Sequence, residues 1–354
     1  MRRRIFSISA LSALALTGLN YPALAYGRNT PYSQRDEVQK FIKIVSNRHG
    51  IEARWIASVI DQATYQSRIE RLMTPPKTVP GKKISSRDWN RYRSNFLGSY
   101  RISLGINFWK LHRDLLERAK REYGVDPAVI VGILGVETRY GENTGSWKVL
   151  DALVTLSFDY TRRADFFRKE LESFLVIVYQ NKLDPEEILG SYAGAIGLPQ
   201  FMPSSIGRFG VDFDGDGQIN IHRSFADAVG SIANYLLKNG WQADLPMILN
   251  TDISLRVAQK YGGGRSARFT LAQLQSSGVR FHPSNTRLSP ETRVFVADFP
   301  YYPSGSKESR TLYRLVTSNF ATVLRYNASY FYAGAVAELG STIAKRLNQP
   351  GLIG

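Results

Sequence analysis

The sequence predicts a mostly helical protein with a minor β element (an α+β chain in which α dominates), on three observations. Apolar residues recur at helical spacing through most of the chain. Period-two alternation is confined to two late segments, Arg293 to Phe299 and Thr311 to Val316. Neither an internal repeat nor a nucleotide-binding βαβ pattern is present. The 354 residues, 43% hydrophobic and 21% charged, suffice to bury a sizeable core as one elaborated domain or two or three lobes. With no Cys, the chain cannot use disulfides, thiolate metal sites, a cysteine nucleophile or a lipid-modified N-terminal Cys. Its formal charge of +16 points to an anionic partner: nucleic acid, a membrane surface or an acidic cell-wall polymer.

Arg2, Arg3 and Arg4 precede an apolar run from Ile5 to Leu19, closed by Ala23-Leu24-Ala25. This pattern predicts a secretory signal peptide over residues 1–25, cleaved after Ala25. The run is about 15 residues against the ~20 a membrane span needs, which disfavours the alternative of an uncleaved anchor. Export removes those three arginines and lowers the formal +16 to +13. It also takes the chain away from nucleic acid, so an acidic polymer outside the inner membrane becomes the leading partner. No later stretch is apolar enough to span a membrane.

In the mature chain, Val38, Phe41, Ile42 and Val45 and then Trp55, Ile56, Val59 and Ile60 predict two amphipathic helices over 35–60. Prolines between Pro75 and Pro80 break the pattern. A single helix is expected from Ile102 to Tyr123, with Phe108, Leu111, Leu115 and Ala119 on its stripe and Gly124 as a left-handed cap. Asp126-Pro127 reads as N-cap and first-turn proline of a helix running to about Tyr140, apolar on all sides and therefore buried. Further helices are expected at Phe166 to Tyr179 and Phe225 to Leu237. Two strands around Pro300, Pro303 and Gly305 form a small β lobe, and an Ala-rich helix from Arg325 to Leu347 closes the chain.

Few residues offer catalytic chemistry. His49, His112, His222 and His282 show no zinc-binding spacing, and neither a Gly-x-Ser-x-Gly elbow nor a phosphate-binding Gly-Lys-Ser/Thr loop is present. Glu137 stands apart. It follows the apolar run Val129 to Val136 near the C-terminal end of a buried helix, where desolvation and the negative helix pole both disfavour its charged form. A carboxylic acid kept protonated near neutral pH suits a general acid acting on a glycosidic oxygen. The alternative is a structural Glu satisfied by a neighbour such as Arg139.

Gly135-Val136-Glu137-Thr138-Arg139-Tyr140-Gly141, followed by the segment Gly190-Ser191-Tyr192-Ala193-Gly194-Ala195-Ile196-Gly197-Leu198-Pro199-Gln200-Phe201-Met202-Pro203-Ser204-Ser205, closely resembles the membrane-bound lytic transglycosylase B family, glycoside hydrolase family 103. The likeness extends from about residue 35 to 346. It implies a bacterial peptidoglycan enzyme with a lysozyme-like core over 126–260, an N-terminal helical part over 26–125, a small β-containing lobe over 261–325, a closing helix over 326–348 and a tail over 349–354. By this resemblance Glu137 is the single catalytic acid/base, Ser191 and Gln200 line the saccharide groove, and Arg162 and Arg163 form a carboxylate-binding pair, a solvated charge run being the alternative for the arginines. Arg325-Tyr326-Asn327 and Tyr332 match the family's closing motif. On their own chemistry, Gly194 and Gly197 let a backbone approach a sugar, Gln200 offers a donor and an acceptor, and Tyr235 and Trp241 could serve as ring platforms, though aromatics at helical spacing are more often core.

Asp212, Asp214 and Asp216 with Asn220 stand at positions 1, 3, 5 and 9 of an EF-hand-like loop over 212–223, with Gly217 at position 6 and Ile219 at position 8. Gln218 completes the candidate ligand set. Position 12, normally a carboxylate, is Arg223, so any calcium is expected to be weakly held and structural, and a turn held by side-chain-to-backbone hydrogen bonds is the alternative. No cofactor is required for the reaction.

Most glycosidases need two carboxylates across the scissile bond, and only Glu137 stands out here. The resemblance implies that groups of the substrate replace the second. Cleavage of the β-1,4 bond between N-acetylmuramic acid and N-acetylglucosamine would then end in a 1,6-anhydro ring. A hydrolytic muramidase and a non-catalytic wall-binding protein are the rival readings. The expected partner is the peptidoglycan glycan strand rather than nucleic acid. The chain is expected to act as a monomer in the periplasm, released there because it lacks the Cys of lipoprotein relatives.

Overall fold

The computed structural model describes residues 31–75, 87–281 and 288–354. The signal peptide expected at 1–25, most of the proline-rich break and His282 lie outside them. Helices α1 (Asp36–His49), α2 (Ala53–Ile60) and α3 (Ser67–Met73) come first, then α4 (Trp89–Ser94), α5 (Ser99–Leu111), α6 (Arg113–Tyr123) and α7 (Pro127–Glu137). Next are β1 (Trp147–Lys148), α8 (Val149–Phe158), α9 (Ala164–Gln180), β2 (Leu189–Gly190), α10 (Pro203–Phe209) and α11 (Phe225–Lys238). The rest holds β3 (Ile248–Leu249), α12 (Leu255–Tyr261), β4 (Phe269–Thr270), α13 (Leu271–Gln275), β5 (Arg293–Tyr301), β6 (Arg310–Thr317), α14 (Ser318–Tyr326) and α15 (Tyr330–Arg346). The chain is mostly helical with a small sheet, as expected.

The described residues divide into two compact units, one of 87–140 and 232–354, the other of 31–75 and 141–231, with the boundary inside α11. In the first, Asp126 caps α7 by accepting from the Ala128 N–H, Pro127 takes the first turn, and every residue from Pro127 to Gly135 is buried. Burial on all sides requires a close neighbour, and α15 is that neighbour. A Cβ on Gly132 would stand 2.5 Å from the Val336 carbonyl oxygen, and one on Gly340 would overlap the Ala128 carbonyl. Small residues thus let the two backbones touch, and the pairs Ala128–Gly340 and Gly132–Val336 make the helices antiparallel.

The sheet of this unit has the order β3-β6-β5-β4 and is antiparallel throughout, with Val294 opposite Thr317 and Tyr301 opposite Arg310. Its face, with α12 and α13, buries Val257, Tyr261, Leu271, Leu274, Val296 and Leu315. Glu338 of α15 is buried between Arg93 and Arg314, at 2.6 Å from each. This pairing satisfies a carboxylate that burial would otherwise penalise.

In the second unit, α8 is buried from Val149 to Ser157 and packs on α9. Asp151 accepts from Thr64 N–H and the Gln66 amide, while Asp159 takes the Tyr32 hydroxyl and Arg35. Glu170 of α9 accepts from Ser204 N–H at 2.9 Å and Ser204 Oγ at 2.8 Å, capping α10 from outside its own sequence.

Two expected helices are each two. The stretch from Ile102 to Tyr123 breaks at His112 (φ −109°, ψ 27°), which rephases the stripe: Leu111 is 79% exposed and Leu116 takes the buried place expected of Leu115. The Arg325 to Leu347 stretch breaks at Asn327, whose extended backbone separates α14 from α15, the latter capped by Ser329. Both strands run one or two residues beyond the alternating segments, because Pro300 still pairs with Thr311.

Candidate active site

Glu137 is the last residue of α7, and the chain turns sharply after it. Arg139 (φ 53°) and Tyr140 (φ 58°) are left-handed without being glycine, and the Tyr140 N–H closes back on the Leu134 carbonyl. The helix therefore stops three residues before the expected Tyr140. The antiparallel pairing of α7 with α15 sets Tyr332, in the first turn of α15, opposite Glu137. Its hydroxyl donates to Glu137 Oε1 at 2.7 Å. Tyr332 is 2% exposed, and Tyr326 stacks on it at 6.2 Å between ring centroids. Tyr235 of α11 meets Tyr326 edge-on at 4.9 Å. Three tyrosines and Glu137 thus form one cluster within the first unit.

The cluster is a low-dielectric setting for a carboxylic acid. Glu137 keeps some accessible surface, yet desolvation raises its pKa from 4.5 to about 7, against the opposing effect of the Tyr332 hydrogen bond. Among the described residues no cation contributes to that shift, so Arg139 is not the structural partner that the alternative reading required. The negative helix pole expected to act on Glu137 is offset by Arg101, which donates to the Gly135 carbonyl at 2.8 Å. Tyr326 and Tyr332 are themselves held well above the usual tyrosine pKa, first by burial and then by the charge of Glu137. Such tyrosines stay protonated, and because the Tyr332 hydroxyl donates to Glu137, its oxygen can only accept from, and its ring pack against, what enters.

Asn327 lies in the extended link between α14 and α15, where its N–H meets the Val323 carbonyl and its own carbonyl accepts from Ser329 N–H. Trp241, a possible platform by sequence, is 6% exposed and belongs to the core.

Ser191 and Gln200 belong to the second unit, on a tightly folded segment. Ser191 Oγ accepts from Ala193 N–H at 3.3 Å and Ala195 N–H at 3.0 Å, which leaves its own proton free to donate. Gln200 is left-handed (φ 51°), and its Nε2 donates to the Thr144 and Gly197 carbonyls, both at 2.9 Å. Both partners are acceptors, so the amide orientation is settled, and only Oε1 remains for a ligand. The expectation that Gln200 offers both donor and acceptor is corrected accordingly. Gly194 (φ 85°) and Gly197 (φ 71°) also have a structural explanation: a Cβ would stand 2.5 Å from Leu153 Cδ2 at the first and from the Ile221 carbonyl oxygen at the second. Arg162 and Arg163 are exposed, and the Arg163 guanidinium lies 4.1 Å over the Phe166 ring.

The acidic loop closes on itself and on α11. Asp212 accepts from Gly215, Asp216 and Gly217 N–H groups, Asp214 from Ser224 Oγ, and Asn220 Oδ1 from Arg223 N–H. Asp227 of α11, fully buried, takes Phe213 N–H at 2.8 Å and Asn220 N–H at 2.7 Å. Carboxylate oxygens of Asp212, Asp214 and Asp227 lie within 4.8 Å of one another, and Asp216 is outside that group. Hard oxygen donors in this number suit a divalent cation such as calcium. Asp227 escaped the sequence reading because it stands outside the loop; its signal is a lone acid within Phe225-Ala226-Asp227-Ala228-Val229. Among the described residues no histidine joins a metal-type cluster.

Residues 33–341 match the model of the transglycosylase SLT domain. The chain is 35% identical over 327 residues to the membrane-bound lytic murein transglycosylase B of Escherichia coli K12, covering 88% of this chain and 84% of that protein. The soluble lytic transglycosylase SltB1 of Pseudomonas aeruginosa superposes with a TM-score of 0.77 at 38% identity, over 88% of this chain and 99% of that one. The Escherichia coli lytic transglycosylase Slt35 in complex with calcium gives 0.76 at 34% identity, over 90% and 96%. The mostly helical architecture with its small sheet is the lysozyme-like fold of these enzymes. With matches spanning nearly all of its described length around a buried acid, the chain belongs to the transglycosylase SLT domain family, among the lytic murein transglycosylases.

Proposed function

We propose that the chain cleaves the β-1,4 bond between N-acetylmuramic acid and N-acetylglucosamine without water, with Glu137 as the only acid/base. One observation carries this reading: the Glu137 carboxyl, raised to about 7 by burial and held by the Tyr332 hydroxyl, has no second carboxylate contributing to its shift among the described residues. A two-carboxylate hydrolase would bring another acid to the same bond.

Protonated Glu137 gives its proton to the glycosidic oxygen as the bond to the muramyl C1 breaks. The 2-acetamido group of the same sugar stabilises the positive C1. The Glu137 carboxylate then takes the proton of the muramyl C6 hydroxyl, whose oxygen closes on C1 and forms the 1,6-anhydro ring. Atoms balance without water, and Glu137 ends protonated for the next cycle. The Tyr332 hydrogen bond holds the carboxyl in one orientation through both transfers, and orientation is where an intramolecular closure gains much of its rate. Ser191 donates to the glycan, Gln200 Oε1 and Asn327 orient hydroxyl and acetamido groups, Tyr235 and Tyr326 support the ring-packing surface, and Arg162 and Arg163 face carboxylates of the substrate.

Calcium is proposed for the loop over 212–223, with Asp212, Asp214 and Asp227 as its carboxylates and with the role of bracing the loop; a calcium complex of a relative supports the choice of ion. The periplasm is the proposed location. The N-terminal segment supports it, and no helix among the described residues is long and apolar enough to cross a membrane.

Mass spectrometry of digested sacculi tests the reaction. Products lighter by one water than the hydrolytic ones are expected, and Glu137→Gln should reduce their formation by about 10²- to 10⁴-fold. Products with reducing ends would instead identify a muramidase, and activity untouched by Glu137→Gln would rule out the assigned acid.

A further inference from the structure

Between Asp252 and Glu291 the chain holds no acidic residue, while Arg256, Lys260, Arg265, Arg268, Arg280 and Arg287 fall in that interval. It is the longest acid-free stretch of this basic chain, with shorter ones between Asp88 and Asp114 and between Glu308 and Glu338. The structure brings two parts of it together in the sheet lobe. Arg256 and Lys260 are four residues apart on α12, hence on the same helix face, a repulsive spacing that slightly weakens a helix. Lys260 Nζ reaches Ser277 Oγ at 3.4 Å, and the Thr251 hydroxyl donates to the Arg280 carbonyl at 2.6 Å. These two contacts tie the segment before and along α12 to the segment running from Ser277 to Arg280.

Arg256, Lys260 and Arg280 are all exposed. Among the described residues none of the three, nor Arg268, forms an ion pair. They do not build the lobe's core either, which is made of Val257, Tyr261, Leu271, Leu274 and their neighbours. Lys260 lies over the Tyr261 ring at 5.1 Å, yet among the described residues no acidic group offsets the repulsion between it and Arg256, as on a surface shaped for an anionic partner. The groups around the cations are hydroxyls and amides, with Gln259, Gln275 and Ser276 exposed beside them. That setting favours a hydrated polyanion with hydrogen-bonding groups over insertion into lipid, for which an apolar face would be needed.

We propose that Arg256, Lys260 and Arg280 form a docking surface for the carboxylates of peptidoglycan stem peptides, separate from the cluster around Glu137, which retains the enzyme on the wall between cleavages. The proposal rests on the wall being the substrate and adds the part of the wall that this lobe recognises.

Pelleting with purified sacculi tests it, using the mature full-length chain carrying Glu137→Gln so that the sacculi stay intact. Adding R256Q, K260Q and R280Q together is expected to weaken binding by about tenfold at low salt and to flatten its salt dependence. Arg256→Lys with Arg280→Lys, which keeps the charge, should retain binding. Intact sacculi whose stem-peptide carboxylates have been converted to amides should hold the parent chain no better than the triple variant. Equal pelleting of parent and triple variant on untreated sacculi overturns the proposal, as does undiminished binding of the parent to the amidated sacculi. A loss seen only on vesicles of phosphatidylethanolamine and phosphatidylglycerol also overturns it and assigns the surface to membrane. With Glu137 restored, the triple substitution should leave turnover of soluble peptide-free glycan strands unchanged. The same wild-type digests separate the two readings: anhydro products with normal pelleting of the triple variant remove the docking surface alone, whereas absence of those products removes the proposed reaction.

Discussion

At the scale of single residues, the decisive quantity is the proton on Glu137. Burial raises its pKa to about 7, and the Tyr332 hydroxyl pulls the other way. Removing that hydroxyl with Tyr332→Phe should therefore raise the pKa further and move the high-pH limb of kcat/KM upward, measured across pH 5 to 9; a limb that stays in place would show that Tyr332 does not act through the acid. The same shift bears on stability. Below the ordinary carboxyl pKa of 4.5, Glu137 is neutral whether folded or unfolded; above about 7 it is charged in both, and only the folded state bears the desolvation. Stability is thus lost as pH rises from 4.5 to about 7. Glu137→Gln, neutral throughout, should match wild type near pH 4 and exceed it at pH 8 by on the order of 1–3 kcal/mol, read from denaturant titrations at the two pH values. Glu137 was legible as an acid because its apolar run is local in sequence. That the Gln200 amide protons are spent on Thr144 and Gly197 was not, since one partner lies 56 residues away.

At the scale of elements, the site depends on how closely α7 and α15 approach. Gly132 and Gly340 leave no space for a side chain at the crossing, so the register that sets Tyr332 against Glu137 follows from backbone contact. Gly340→Val should force the helices apart, destabilising the protein by about 1–3 kcal/mol and lowering its Tm in calorimetry. A substitution without effect would show that the helices can slide. The end of α6 and the start of α7 were readable from Gly124, Asp126 and Pro127, because capping acts within a turn, whereas the end of α7 at Glu137 was not. The breaks at His112 and Asn327 were not, because tertiary packing imposes them on otherwise continuous helical patterns.

At the scale of the whole molecule, the excess positive charge is unevenly spread, and the acidic loop is its local opposite. Asp212 and Asp214 lie against Asp227, an arrangement whose mutual repulsion a bound cation relieves. Calcium should raise Tm and a chelator should lower it again, by a few degrees at saturating ion, through linkage between binding and folding. Asp227→Asn should reduce that response, and an unchanged Tm with and without calcium would remove the ion from the loop.

The helical class, the N-cap and buried run of α7 and the isolated acid at Glu137 are legible in the sequence, because each arises from residues within a few turns of one another. Packing alone brings Tyr332 to Glu137 across 195 residues, adds Asp227 to the acidic loop and ties the segment of Lys260 to that of Ser277 and Arg280. The reason is physical: a cap or an apolar stripe is written in local backbone geometry, whereas a hydrogen bond between distant side chains exists only once packing has set the approach and register of the elements that carry them.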